Sequence, residues 1–185
     1  MAPDYPWYCV VDGHAALEQG DLLRQFPTLV PSFSLLDEAE DLDVDVETFN
    51  VIVMSHSCDL ANDKIKNVVL CAHVDFVKAA QGDAKLKGRE KDIQSGKHLR
   101  HQLLAESQTA IAMPLQLLDY GQVFSLPKAL VHAFAKKQGA RLRLLPPYRE
   151  HVAQTFAMCY MRVALPVPPL DTIGPSGAAP AWSRR

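Results

Sequence analysis

Apolar residues gather along this chain in short runs, and two of these runs predict neighbouring strands of one sheet. Residues 49–54 read FNVIVM and residues 68–74 read VVLCAHV. Short apolar runs that are rich in β-branched side chains are typical of buried strands. The turn-forming residues 61–64 between the two runs are few enough for a hairpin connection, so we expect the two strands to pair.

Weaker patterns predict further short strands. Residues 7–11, 110–113 and 122–126 are largely apolar, whereas residues 141–145 alternate basic and apolar positions. Alternation of this kind indicates a strand that is buried on one face only. Residues 22–26 fit either an extended segment or one short helical turn.

Two helices are predicted in the second half of the chain. Pro127 and Gly139 bracket residues 128–137, since proline favours the first turn of a helix and glycine the position after its end. Residues 148–163 form the second predicted helix. Its apolar positions recur at helical spacing on one face, at Val152, Phe156, Tyr160 and Val163.

Together these elements predict an α+β fold, which we interpret as a small, strongly bent β-barrel with a helical insertion and a C-terminal helix. An α+β sheet with helices on one face is the alternative. We expect a single globular domain over residues 1–165, with residues 78–106 as a helical, basic insertion. Residues 166–185 are rich in Pro, Ala and Ser, which predicts a disordered tail.

The composition excludes several classes of protein. The 185 residues are 48% hydrophobic and 22% charged, with a net charge of -2. Such a chain can bury a core, so disorder throughout is excluded, and the near-neutral charge argues against a protein dedicated to coating DNA. We expect no membrane span, because no apolar run reaches the length that a spanning helix needs.

Charge is nevertheless unevenly distributed. Residues 37–47 carry seven carboxylates and no base, and residues 78–101 carry seven bases against three acids. Each block is typical of a solvated surface. The basic segment is also a candidate contact for nucleic acid, or for the acidic block of the same chain.

The cysteines and the N-terminus predict a cytoplasmic protein with reduced thiols. Residues 1–4 lack the basic and apolar regions of a signal peptide. The four cysteines form no CxxC pair and no dense framework, at positions Cys9, Cys58, Cys71 and Cys159.

A polar cluster, residues 55–59 (SHSCD), follows the first buried run and is the first candidate site. Cys58 is a candidate nucleophile with His56 or His151 as its base, and Asp59 would assist. Ser55 and His56 are candidate ligand- or partner-binding residues. The structural alternative is that Cys58 is a small buried side chain and Asp59 caps the next turn.

A zinc site is a further hypothesis. His56 and Cys58 lie two residues apart, as do Cys71 and His73, and both pairs lie at strands that we expect to be neighbours. Residues i and i+2 of a strand face the same side, so the two pairs could supply a tetrahedral Cys2His2 set. Zinc is the only cofactor that the sequence suggests.

The third candidate is a basic cluster. Arg141 and Arg143 share one face of a predicted strand, and Arg149 and His151 lie in the first turn of the last helix. Such a cluster can contact a phosphate or an RNA backbone. Alternatively, the arginines pair with carboxylates of the helix or of the acidic block. Arg149, Glu150 and His151 are also candidates for acid–base cleavage of RNA.

Three segments together resemble an uncharacterised bacterial protein group with the pattern QGD…SxxCDL…RLxLxxPYREHxxQxF. They are residues 19–21, 55–60 and 141–156, so the likeness extends over most of residues 19–165. A weaker likeness is to the SH3-like barrel of endoribonuclease toxins from toxin–antitoxin modules, which begin with a GD strand and pack a C-terminal helix. This chain lacks the RPALVLS stretch of those toxins.

These observations favour a bacterial, cytoplasmic binding or regulatory module that has a protein partner. The resemblances imply an accessory role in a toxin–antitoxin or phage-defence setting. Nucleic acid is a possible partner through Arg141, Arg143 and Arg149 or through residues 78–101. The alternatives are an endoribonuclease-like or other hydrolytic enzyme on an SH3-like barrel, and a zinc-stabilised interaction module.

Overall fold

The computed structural model describes residues 5–31 and 44–161, and these residues form an α+β fold. Seven strands and five helices alternate irregularly along the described chain. In chain order they are β1 (Tyr8–Val11), β2 (Leu22–Pro31), β3 (Val44–Val53), α1 (Ser57–Ala61), β4 (Asn67–Asp75), α2 (Phe76–Gly82), α3 (Glu90–Gln94), β5 (His101–Leu104), β6 (Gln116–Pro127), α4 (Lys128–Gln138), β7 (Arg141–Leu144) and α5 (Tyr148–Tyr160).

Five strands form one antiparallel sheet in the order β2-β3-β4-β6-β5, and β1 pairs with β7 in a second, two-stranded sheet. A single bridge between Asp21 and Arg143 joins the two sheets. Beside it, the backbone N–H of Leu144 donates to the carbonyl of Gly20 at 2.9 Å. Within the described residues no ladder joins β5 to β1 or β2, so the five-stranded sheet is open.

The central strands carry two apolar cores, one on each face of the sheet. Along β3, Ile52 faces the first core, whereas Val51 and Val53 face the second. A strand that is apolar on both faces produces the continuous run seen in the sequence. The predicted pairing of β3 with β4 is confirmed, with Ile52 opposite Cys71.

Different elements cover the two cores. Tyr8 of β1, Leu144 of β7 and Val152 of α5 close the first core, and Val131 and Ala135 of α4 close the second. A third, smaller core lies under α2 and α3 and comprises Phe76, Leu86, Ile93 and Leu117.

The structure differs from the sequence prediction in the connections. The link between β3 and β4 contains the short helix α1 instead of a plain hairpin turn. The insertion predicted as helical over residues 78–106 contains α3 and part of α2 but ends in β5. This last segment is a strand because it pairs with β6, and it buries Gln102 and Leu104 while the residues between and before them are partly exposed.

Some predictions fall on residues that the structure does not describe. The acidic block lies largely outside the described residues, and so do the predicted tail over residues 166–185 and the end of the predicted C-terminal helix. Within the described residues, no helix combines the length and the apolar character needed to cross a membrane.

Candidate functional site

The turn formed by residues 19–21 (QGD) is the point at which all three sequence motifs meet. Gln19 donates its backbone N–H to Ser57 Oγ at 3.1 Å and its side-chain amide to the Met54 carbonyl at 3.0 Å. Gly20 has φ +88°, and a Cβ there would lie 3.0 Å from the Leu144 carbonyl oxygen. Only glycine meets both the positive φ and the close approach of β7.

Asp21 anchors the two arginines of β7. Its side chain is fully buried and accepts a hydrogen bond from Arg141 Nε at 2.8 Å. Arg143 Nε donates to the other carboxylate oxygen, and Arg143 also pairs with Glu18. The QGD turn and the RLRL strand are therefore two halves of one buried ion-pair network.

Arg141 makes all of its described hydrogen bonds inside the protein. Its side chain has no exposed surface, and its remaining N–H groups donate to the backbone carbonyls of Asp12, Ala15 and Ala16. A guanidinium with these internal partners fixes the loop between β1 and β2. The ion-pair interpretation of the basic cluster describes the contacts of Arg141 and Arg143. Their carboxylates are Glu18 and Asp21, however, and not those of the helix or the acidic block that the sequence predicted.

Arg149 and His151 point to different sides of α5. Arg149 pairs with the neighbouring Glu150 at 2.8 Å on the surface. His151 lies two residues further on, which is about 200° around a helix. Its Nδ1 accepts a hydrogen bond from the Gln102 side-chain amide at 3.1 Å, and the Gln102 carbonyl oxygen accepts one from the Tyr120 hydroxyl.

The polar cluster after β3 is tied down by backbone contacts. Ser55 Oγ accepts the Val69 N–H at 2.9 Å, which fixes the end of β3 against β4. His56 Nδ1 accepts the Cys58 N–H at 3.3 Å and so caps α1. Cys58 is exposed on α1, and Asp59 follows it in the first turn of that helix.

The predicted catalytic residues do not form a hydrogen-bonded group. Among the described residues, the Cys58 thiol makes no hydrogen bond with His56 or His151. The QGD turn lies between the two clusters, because Gln19 contacts Ser57 at the start of α1 while a Cβ on Gly20 would lie 3.4 Å from Arg149 Cδ.

The four residues of the zinc hypothesis lie in different surroundings. His56 and Cys58 are exposed, whereas Cys71 and His73 are buried in β4. Burial raises the pKa of the Cys71 thiol, whose Sγ lies 3.2 Å from the Asp119 carbonyl oxygen. The part of the chain that the structure describes contains no group of three or more His, Cys, Asp or Glu side chains placed to hold a metal ion. The zinc-stabilised module stays a prediction.

Some cations of the basic segment, residues 78–101, form ion pairs with carboxylates of the same chain. Arg100 pairs with Asp119 at 3.0 Å, and Lys97 lies 3.9 Å from Asp92. Lys78, at the start of the segment, makes no ion pair with a described carboxylate and lines a cleft.

That cleft, beside His73, is a site that sequence reasoning missed. It encloses about 240 Å³ and receives residues from β2, β3, β4, α2, β6, α4 and β7. The segments that meet there are far apart in the chain, so no spacing in the sequence reveals the cleft. One signal was visible, namely a histidine inside an otherwise apolar buried strand.

Comparison with known proteins adds no further constraint. No protein-family model matches the chain, and a search of curated proteins finds no match.

Proposed function

We propose that the chain is a bacterial, cytoplasmic binding or regulatory module whose partner is another protein, with an accessory role in a toxin–antitoxin or phage-defence setting. The observation that carries the proposal is an exposed apolar ribbon formed by β2 and β3. The setting itself rests on the sequence resemblances.

The ribbon extends beyond the rest of the sheet. β4 pairs only with Asn50–Val53 of β3, so residues 44–49 have β2 on one side and no described strand on the other. Leu29 and Val46 lie directly opposite each other on this ribbon and are 68% and 62% exposed. An open strand edge beside exposed apolar side chains is a typical surface for adding a strand of a partner.

The polar groups singled out by sequence support the same proposal. Asp21, Arg141 and Arg143 are used in internal ion pairs, and His56 caps a helix. These ion pairs and this helix cap stabilise the fold in which the ribbon is exposed.

We also propose that the strand array is a bent, SH3-like barrel left open between β5 and β1. The Asp21–Arg143 bridge brings β7 and β1 alongside β2, and the Tyr8 hydroxyl of β1 donates to the Ala105 carbonyl, just after β5, at 2.8 Å. These contacts bend the array toward closure.

The test is purification of the tagged chain from its source bacterium with Leu29→Lys and Val46→Lys variants. We expect one protein to co-purify in a fixed ratio with the wild type and to be lost from both variants. Leu130→Lys, on the exposed side of α4, is the matched control and should retain the partner. Retention by all three variants, or no partner in a fixed ratio, overturns the proposal.

The enzymatic alternative, an endoribonuclease-like or other hydrolytic activity, is tested separately. The position of the QGD turn favours it, since Gln19 donates to Ser57 of one candidate cluster while Gly20 lies close to Arg149 of the other. Expression in a bacterial host is followed by growth and by total RNA integrity. Growth arrest with fragmented RNA that Cys58→Ala, Arg149→Ala or His151→Ala abolishes would establish an enzyme. Normal growth with intact RNA in the wild type and in all three variants favours the binding module.

A further inference from the structure

The cleft beside His73 combines apolar walls with polar groups, which belong to eight of its fourteen lining residues. Leu22 and Leu142 contribute to the apolar lining from the two sheets, and Ile111 and Met113 contribute from the loop before β6. Apolar walls with convergent polar groups are the usual form of a small-molecule site. The polar groups therefore decide what the cleft can bind.

The first polar group is the imidazole of His73, which is only 6% exposed. Its Nδ1 lies 2.9 Å from Gln116 Oε1, while the Gln116 amide nitrogen donates to the Pro114 carbonyl at 3.0 Å. Because the amide orientation is fixed in this way, Nδ1 carries the proton and donates. Nε2 is then a lone-pair acceptor, and it has no hydrogen-bond partner among the described residues.

The imidazole is neutral at physiological pH. Burial lowers the pKa of His73 to about 4, and the hydrogen bond to Gln116 offsets this only in part. An unpaired buried acceptor destabilises the folded protein, because no hydrogen bond compensates for its loss of contact with water. A ligand that brings an N–H or O–H group to Nε2, directly or through one water, removes that cost.

The second feature is a pair of cations at the cleft, Arg24 and Lys78. Neither makes an ion pair with a carboxylate in residues 5–31 or 44–161, and both are exposed. The one carboxylate that also lines the cleft, Asp75, accepts hydrogen bonds from the backbone N–H groups of Val77 and Lys78. Two cations against one engaged carboxylate make the cleft attractive to an anion.

Arg24 is placed by a bulge that the cleft itself stabilises. The β2–β3 register shifts between Leu23 and Phe26, and Gln25 has φ +51°. Asn50 Oδ1 accepts the Gln25 N–H at 3.0 Å, and Gln138 Oε1 accepts the Arg24 N–H at 2.7 Å. Bulges re-aim side chains, and left-handed backbone at a non-glycine residue is unfavourable unless its surroundings hold it.

We propose that this cleft binds a small organic anion that also carries an N–H or O–H donor. Its anionic oxygens pair with Arg24 and Lys78, and its donor serves Nε2 of His73. The volume suits a compact ring with one acidic substituent, either a carboxylate or a phosphate ester. The proposal is independent of the partner-protein proposal, which concerns the ribbon of β2 and β3.

The experiment is calorimetric titration of the full chain with two matched sets of probes. Orotate has a carboxylate and ring N–H donors, uracil lacks the carboxylate, and benzoate lacks the donors. Uridine 5′-monophosphate, uridine and phenyl phosphate make the same comparison for a phosphate ester. We expect the complete member of one set to bind at least about tenfold more tightly than either partial member, since each lost charge-assisted or buried hydrogen bond removes about that factor. The set that binds identifies the anion.

Variants locate the binding. Arg24→Gln and Lys78→Gln should each weaken the complete probe about tenfold and leave its neutral analogue unaffected. In His73→Phe the complete probe should bind no more tightly than the analogue that lacks the donor. Lys136→Gln, an exposed lysine on α4 outside the cleft, is the matched control and should bind as the wild type does.

A second readout guards against a His73 variant that fails to fold. In the wild type, long-range ¹H–¹⁵N correlation spectra report the two imidazole nitrogens, and the Nε2 resonance should move only with probes that carry a donor. Absence of binding by both complete probes, or binding that the three cleft variants and the control share equally, overturns the proposal.

Discussion

Asp21 and Arg141 show how the same residues predict two different roles when burial is unknown. Arginines at alternate strand positions fit a surface that binds phosphate as well as they fit an internal ion pair. The sequence contains no information on which carboxylate lies opposite, because Asp21 is 120 residues away from Arg141 along the chain. The fold decides the role by burying both side chains completely.

The first prediction concerns the charge of Asp21. Asp21→Asn leaves the buried Arg141 without its counter-ion, and breaking a buried pair by removing one partner costs about 3–5 kcal/mol. We expect the free energy of unfolding, measured by urea denaturation with far-UV circular dichroism, to fall by about that amount.

The comparison variant is Asp63→Asn. Asp63 pairs with Lys128 on the surface, where its side chain is 87% exposed. Water screens and solvates such a pair, so its loss should change stability little. Equal effects from the two substitutions would show that the Asp21 pair is not the anchor that its burial indicates.

The second prediction is a pH dependence that arises from His73. Burial lowers its pKa in the folded protein from 6.5 to about 4. Between these pH values the unfolded chain binds a proton at His73 more readily than the folded protein does. The stability associated with a neutral His73 is therefore fully present above about pH 6.5 and is lost as the pH falls toward 4. The loss amounts to at most about 3.5 kcal/mol, from about 1.4 kcal/mol per unit of pKa shift.

The measurement compares chemical denaturation of the wild type and His73→Phe over this pH range. The acid-side decline should be shallower in His73→Phe, because phenylalanine takes up no proton. His132→Gln, which removes an exposed histidine of α4, should keep the wild-type slope. Parallel curves for the wild type and His73→Phe would contradict the assignment of a neutral buried imidazole.

At the scale of elements, local patterns predicted the buried central strands and the two longest helices. The strand predicted over residues 110–113 was wrong, because this segment is a loop in which Met113 makes one isolated bridge. α4 begins after Pro127 and ends at Gly139, which has φ +83°, as the bracketing residues indicate. β7 occupies the alternating segment, and α5 begins at Tyr148. These elements are specified by residues within them, so a single sequence is sufficient to find them.

Elements fixed by distant contacts were missed or misassigned. The four residues of β5 read as part of a helical insertion, and only their pairing with β6 makes them a strand. β6 begins at Gln116, well before the predicted strand over residues 122–126, since a register shift after Cys71 lets it continue along β4. The cleft beside His73 follows the same rule, because its lining depends on how seven elements meet.

At the scale of the whole molecule, the two apolar cores share the central strands and are therefore expected to unfold together. Neighbouring residues of β3 face opposite cores, so the core that α4 covers and the core that α5 covers share this strand. Loss of either core exposes the apolar side of β3 and removes support for the other core.

The third prediction tests this coupling with probes on opposite sides of the sheet. Trp7 stacks on Tyr148 at 3.8 Å, so its fluorescence reports the side covered by β1 and α5. Trp182→Phe makes Trp7 the only tryptophan, since the chain has two. In that background Val131→Ala, in the core under α4, should lower stability by about 2 kcal/mol. The shift should be the same by Trp7 fluorescence and by far-UV circular dichroism.

Leu130→Ala on the exposed side of α4 removes apolar atoms that lie 50% exposed and should shift neither transition appreciably. The informative result is the position of the fluorescence midpoint in Val131→Ala. A midpoint that follows the circular dichroism signal means that damage under α4 reaches α5 through the shared strands. A midpoint that stays at the wild-type value would mean that the sheet of β1 and β7 with α5 unfolds as an independent unit, despite its share of the first core.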